Sequence, residues 1–378
     1  MLLRFFFIGG FPAKIGQKDH KGRNIGHMFE TFRKVKNTAI RNGISVILMT
    51  ALMLGELYLH PMEAKADNEI VLCIDPGHGG ANLGATYNGF EEKNLTLQIA
   101  NVMTEYLSHF EGIRVVRTRT EDVDLSLEER AQIAKDNQAF MLLSLHLNAS
   151  EPHHLFGAEV WTSAFGDLYA WAHSFGEIEL QELANLGIYP KHVKTRMSSQ
   201  AVDEYYGILR HAKNRGIPAA IIEHCYMDEI RDEQFYTSEE AIVALGQADA
   251  IAVAKFFGLK SPDLGLDFTG YQRNVYTAPE LPVYQDKTPP EVRQISLNAY
   301  DPATRVANLH IRAKDSDSGI LFFRYSTDGG ITWSPLYPWT AEEGDVEIPV
   351  IASSNGDVVL KLYNGFDGAG ATNHLKLW

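Results

Sequence analysis

Cysteine is scarce in this chain: Cys73 and Cys225 are the two among 378 residues. Two cysteines cannot build the disulfide framework of a small stapled module. Both lie in apolar runs, where a free thiol behaves as a small buried hydrophobe. HExxH and GxSxG do not occur, so the zincin and α/β-hydrolase readings lack their signatures. No GxGxxG or Walker spacing supports a phosphate-cradling loop, and no internal repeat is visible. Positive charge is concentrated at the start. Residues 1–66 hold ten Lys/Arg against four Asp/Glu, which leaves a net −20 on the rest of a chain whose total is −14. So acidic a surface repels phosphate backbones and excludes nucleic acid as a partner.

An apolar fraction of 45% with 22% charged residues is globular composition, and the length suits two domains. Arg33, Lys34, Lys36 and Arg41 precede the apolar run Ile44–Leu54, and Ala64-Lys65-Ala66 follows as a small-x-small site. That order describes a signal peptide cleaved after Ala66. The run is shorter than the roughly 20 residues of a membrane-spanning helix, so contact with a membrane is expected only through an uncleaved signal segment. Met28 stands where an export signal expects its start, which makes residues 1–27 an over-extended leader. The expected location is secreted, at the cell envelope.

Over residues 67–260 strand-like and helix-like segments alternate. Ile70–Asp75, Ile113–Thr118, Phe140–Leu145 and Ala219–Glu223 are short apolar runs of the kind buried on both faces. Leu95, Ile99, Val102, Met103, Tyr106 and Leu107 recur at helical spacing, with Asn94 as the expected cap. Ser126-Leu127-Glu128-Glu129 is a capping box, and Ser238 and Gly258 bracket another helix. The fold class expected is α/β, a sheet of mostly parallel strands flanked by helices. Residues 261–286 collect Pro262, Pro279 and Pro282 and read as a linker. From residue 287 to 378, five short strands with turn residues between them predict an all-β sandwich of immunoglobulin-like size.

The chemistry gathers at strand ends. Asp75-Pro76-Gly77-His78-Gly79-Gly80 places a histidine in a glycine-flanked turn after the first strand, where open α/β sheets put their sites. Phe140–Asn148 repeats the arrangement with His146. Glu91-Glu92 opens a helix, where a carboxylate interacts well with the dipole in any case. Glu223 lies inside the apolar run Pro218–Glu223, and a charge there is costly to bury without a partner such as a cation. Two His and one Glu leave a zinc ion an open position for water, and a nearby carboxylate can accept that water's proton. The class implied is hydrolysis of an acyl bond.

The ordered motifs DPGHGG, GFEEKN, LSLEER, SLHLNAS and PAAIIEHCYM, across residues 70–258, resemble the amidase-3 family of zinc-dependent N-acetylmuramoyl-L-alanine amidases. The resemblance implies Zn2+ held by His78, Glu92 and His146, with Glu223 as the catalytic glutamate. Glu92 is preferred to Glu91 because it makes the family's E-K-N step. Peptidoglycan is the implied substrate, cut between N-acetylmuramic acid and L-alanine. Asn148, Arg119 and Arg210 are candidates for contacting it, each with a structural role as the alternative. The family usually shows a glycine and an apolar residue after the catalytic Glu. Here His224 and Cys225 stand instead, and they either approach the metal or face the other side of the strand. Glu177–Leu186 is amphipathic and is either a cover for the site or ordinary packing. His153-His154 reads as a solvent-exposed pair in a polar loop. In the C-terminal region, Ser326–Trp333 resembles the Asp-box hairpin, a turn stabiliser, and Asp315–Gly319 is expected as a turn without a calcium loop's downstream Glu.

Overall fold

The computed structural model describes residues 69–150, 153–340 and 344–378. The expectations for the export signal, with Met28 and the cut after Ala66, lie outside the described residues. Six strands form the central sheet: β1 (Ile70–Pro76), β2 (Ile113–Arg117), β3 (Met141–Asn148), β4 (Ala158–Thr162), β5 (Pro190–Lys194) and β6 (Ala219–Tyr226). Their order is β2-β1-β3-β6-β4-β5. β4 runs antiparallel to β6, and every other neighbouring pair is parallel.

Five helices cover the two faces: α1 (Glu92–Leu107), α2 (Leu127–Asp136), α3 (Gly166–Asn185), α4 (Gly207–Lys213) and α5 (Glu239–Phe257). Helices α1, α3 and α5 share one core with Leu72, Ile74, Leu143, Leu145 and Ile222. Helices α2 and α4 close the other face over Cys73, Leu142 and Ile221. Each such aliphatic side chain, withdrawn from water, contributes about 1.5–3 kcal/mol before conformational entropy is subtracted. Because β1 and β3 are covered on both sides, they read as unbroken apolar runs.

Local signals set the helix ends. Ser126 accepts from the Glu129 amide while Glu129 reaches back to Ser126, completing the capping box of α2. Ser238 caps α5, which ends on Gly258 in the left-handed region at φ 65°. The expectation for Asn94 is corrected: α1 starts at Glu92, and Asn94 sits in its first turn with its side chain donating to Glu91 Oε2 at 3.0 Å. The small hairpin Thr86–Tyr87 and Phe90–Glu91 runs straight into the helix, which moves the cap from Asn94 to Glu91 and puts Glu92 on the first turn. The Glu177–Leu186 stretch belongs almost wholly to α3, whose Ile178, Leu180 and Leu183 lie in the core, so it packs and does not cover the site.

Residues 261–286 are held along the sheet domain. Ser174 Oγ donates to the Asn274 carbonyl, the Val283 amide to Ala164 O (2.9 Å), and Thr195 Oγ1 to Val283 O (2.7 Å). Beyond them, β7 (Glu291–Asp301), β8 (Val306–Lys314) and β10 (Gly344–Ile351) form one antiparallel sheet. β9 (Ile320–Ser326) and β11 (Asp357–Asn364) centre a second. Leu309, Ile311, Ile348 and Val350 from the first meet Val358, Leu360 and Leu362 from the second. In the Asp-box segment Asp328 Oδ1 accepts from the amides of Ile331 and Thr332, and Asp315 Oδ1 likewise closes its own turn on Ser318 and Gly319. The β domain is not a loose appendage. Phe156 of the sheet domain packs with Phe322, Leu336 and Tyr363, and Arg231 donates to the Leu336 carbonyl at 2.6 Å. No helix among the described residues is long and apolar enough to cross a membrane.

Candidate metal and acid–base site

The sheet brings His78, Glu92, His146 and Glu223 to one place. His78 lies just past the end of β1, with φ 62°, a region where histidine is tolerated better than most residues. Its Nδ1 lies 2.9 Å from Asn82 Oδ1. That oxygen can only accept, so Nδ1 donates to it, and Nε2, on the other side of the ring, lies 3.0 Å from Glu92 Oε2. Glu92 is 3% exposed. Its Oε1 meets His146 Nδ1 at 2.9 Å and the Leu147 amide at 3.1 Å, while Oε2 accepts from the Ala85 amide at 2.8 Å. Burial pushes the Glu92 carboxyl up, but the bonds and charges of His146 and His78 outweigh it and hold the group well below the usual carboxylate range. Glu91 instead turns away toward Asn94 and Lys93.

One nitrogen or oxygen from each of His78, Glu92 and His146 lies within 4.8 Å of the others. Two imidazoles and a carboxylate fit a divalent ion of zinc's preferences and leave a coordination position open. The backbone is shaped to allow this approach. A Cβ on Gly77 would stand 2.3 Å from the His146 ring, and one on Gly84 (φ 69°) would stand 2.5 Å from Glu92 Oε2.

Glu223 is next to His146 in the parallel register of β3 and β6. The residue is partly exposed, yet its Oε2 is enclosed and without a hydrogen-bond partner. Burial, then the charges of Glu92 and Glu159, push its carboxyl well above the ordinary value. A carboxylate poised in that direction suits proton transfer.

After Glu223 the register slips: His146 pairs with Glu223, but Asn148 pairs with Tyr226. The extra residue is a bulge. His224 therefore points to the covered face, where Nε2 lies 3.1 Å from both Asp249 oxygens on α5 and Nδ1 donates to the His146 carbonyl at 2.8 Å. Glu179 of α3 joins this fully buried group. Cys225 also lies in the α1–α3–α5 core, while Tyr226 returns to the site side and accepts from Lys191. Both cysteines are free and buried.

The three substrate candidates fall differently. Asn148 Nδ2 donates to Glu159 Oε1 at 3.0 Å, one strand beyond Glu223. The Arg119 guanidinium donates to the carbonyls of Pro76, Gly77, Glu121 and Lys93 and so braces the His78 loop, the structural alternative. Arg210 donates to the Glu204 carbonyl near the start of α4. His153 is exposed and pairs with Asp228 at 2.7 Å. Sequence reasoning missed Arg130. Its guanidinium binds Asp75 Oδ1 and the carbonyls of Pro76 and His78, a second brace under the same loop. The signal was present, since the capping box fixes where Arg130 falls on the first turn of α2.

The family described as N-acetylmuramoyl-L-alanine amidase (Amidase_3) matches residues 72–255. The chain is similar to the sporulation-specific N-acetylmuramoyl-L-alanine amidase of Bacillus subtilis strain 168, with 28% identity over 192 residues, covering 50% of this chain and 69% of that one. It is also similar to a putative N-acetylmuramoyl-L-alanine amidase of Buchnera aphidicola (subspecies Baizongia pistaciae), with 26% identity, covering 50% of this chain and 96% of that protein. Among solved structures, an N-acetylmuramoyl-L-alanine amidase from Clostridium difficile 630 aligns with TM-score 0.45 and 26% identity over 50% of this chain and 97% of that one.

Proposed function

We propose that this amidase-3 domain hydrolyses the amide between N-acetylmuramic acid and L-alanine in peptidoglycan, with Zn2+ held by His78, Glu92 and His146. The observation that carries the reading is the enclosed, unpartnered Oε2 of Glu223 beside a His–Glu–His set whose carboxylate is buried and whose histidines are half-buried. Bound there, zinc supplies Lewis-acid polarisation of a carbonyl and of water. Glu223 accepts the proton of the attacking water and passes it to the departing L-alanine nitrogen, which no covalent intermediate need precede. Asn82 fixes the tautomer of His78, and Arg119 and Arg130 hold the loop that carries it. Asn148, and with it Arg210, stays a candidate for substrate contact. The protein works outside the cytoplasm, at the wall, where the immunoglobulin-like β domain holds it at its polymer.

The test is the full chain, loaded with zinc and incubated with peptidoglycan, with products read by chemistry of the new ends. Free L-alanine amino groups from the wild type and none from Glu223→Ala support the reading. Release of acetate with new hexosamine amines would replace it with a deacetylase.

A further inference from the structure

Four charges form a cluster between Glu223 and the β domain. Glu159 sits opposite Glu223 in the antiparallel register of β4 and β6. Glu159 Oε2 binds Lys194 Nζ at 2.6 Å and Lys191 Nζ at 2.9 Å, and neither lysine side chain has any solvent exposure. The far side of both ammonium groups is closed by Asp367, which reaches Lys191 at 3.0 Å and Lys194 at 3.2 Å. Asp367 does not belong to the amidase domain. It stands on the hairpin tip between β11 and the short strand Ala369–Ala371.

That tip is built to hold its place. Asp367 has φ 62°, and Asn364 Oδ1 accepts from the Phe366 and Gly368 amides at 3.1 and 2.7 Å, fastening the turn from inside. A Cβ at Gly365 would fall 2.1 Å from the His192 ring, so the glycine is what lets the tip seat against β5. Phe366 enters the α2–α4 core and meets Trp161 with ring centroids 6.3 Å apart.

Charge counting shows what the contact does. Within the amidase domain the group has two buried cations and one anion, and Asp367 supplies the missing negative charge. A buried excess charge is costly and rearranges its neighbours. Glu159 is the neighbour that would move, and with it the partner of Asn148 and the flank of Glu223.

We propose that Asp367 is a positioning residue for the amidase reaction, holding Glu159 beside Glu223 through Lys191 and Lys194, so that the β domain completes the active site. This rests on the amidase reading above. The experiment measures kcat, KM and thermal midpoint of the full zinc-loaded chain on peptidoglycan for the wild type, Asp367→Asn, Asp367→Glu and Tyr189→Phe. Tyr189→Phe removes a different bond between the domains, the hydroxyl to Leu321 O, and changes no charge. Asp367→Asn is expected to lower kcat roughly 10- to 100-fold, as small misplacements near the chemistry do, with KM within about two-fold. Asp367→Glu is expected to recover most of kcat, and Tyr189→Phe to keep it. Combining Lys194→Met with Asp367→Asn leaves one cation to one anion, so a folded protein with kcat within about three-fold of wild type is expected even if the single variant does not fold. Wild-type kcat in Asp367→Asn overturns the assignment, as does a loss of about ten-fold or more in the charge-balanced double variant or in Tyr189→Phe. A wild type that releases no L-alanine amino ends instead overturns the amidase reading, and this inference falls with it.

Discussion

Glu223 and Glu159 stand directly opposite each other on antiparallel strands, two carboxylates on one face of the sheet with opposite tendencies. Burial alone would raise both. Lys191 and Lys194 reverse this for Glu159 and hold it well below the usual range, whereas at Glu223 burial and the charges of Glu92 and Glu159 outweigh the pull of Lys191 and push it up. Environments that separate two acids in this way assign their roles, the charged one as a fixed support and the other as the proton carrier.

Glu159→Gln should therefore act twice. It leaves two buried lysines short of an anion, expected to cost about 3–5 kcal/mol in urea unfolding. It also removes a negative charge that raises the Glu223 carboxyl, so the acid limb of kcat/KM should move to lower pH. An unmoved acid limb in folded, zinc-loaded variant would refute the coupling.

Gly77→Ala tests the shape of the metal site. With a Cβ at 2.3 Å the His146 ring must turn away. Zinc affinity, measured against a competing chelator, should fall at least ~10- to 100-fold, while far-ultraviolet circular dichroism stays that of the wild type. Unchanged affinity would mean that His146 is not a ligand.

Arg130→Ala tests the second brace. Asp75 is 1% exposed and shares its oxygens among Arg130, Thr118 and Ser144. Removing the cation leaves a buried carboxylate short of its partner, with an expected loss of about 3–5 kcal/mol in chemical denaturation. A loss below ~1 kcal/mol would show that the hydroxyls suffice.

Much of this was legible in advance, and the gaps have physical causes. β1, β3 and β6 announced themselves as apolar runs because both their faces are covered, and the two histidines and Glu223 were conspicuous against that background. The five strands of the β domain stood out by their turns. β4 and β5 did not. Pro190-Lys191-His192-Val193-Lys194 reads as a polar loop, since its two lysines are buried only by virtue of Glu159 and a carboxylate from 173 residues further on. For Arg119 substrate contact and a structural role both stood open for a related reason: sequence shows a charge near a strand end but not the backbone carbonyls it binds.

Glu179 offers a prediction in pH. Both its oxygens are buried without a hydrogen-bond partner, and burial, then the carboxylates of Asp249 and Glu182, push its carboxyl well above 4.5. The folded protein thus keeps a proton that the unfolded chain releases. Stability from this group is full below about pH 4.5 and declines as pH rises toward the raised folded value. Glu179→Gln, which needs no proton to stay neutral, should flatten the fall of melting temperature between about pH 5 and 8. Parallel curves for variant and wild type would sink the idea.

The slip in β6 has one more consequence. Strict alternation would have returned Cys225 to the face of Glu223 and the histidines, offering a sulfur to the ion. The extra residue sends that thiol into the hydrocarbon core and hands its place to a phenol. The site is left with nitrogen and oxygen donors alone. Peroxide and disulfide exchange find nothing there to attack, and the centre can work in oxidising surroundings without a reductant to maintain it.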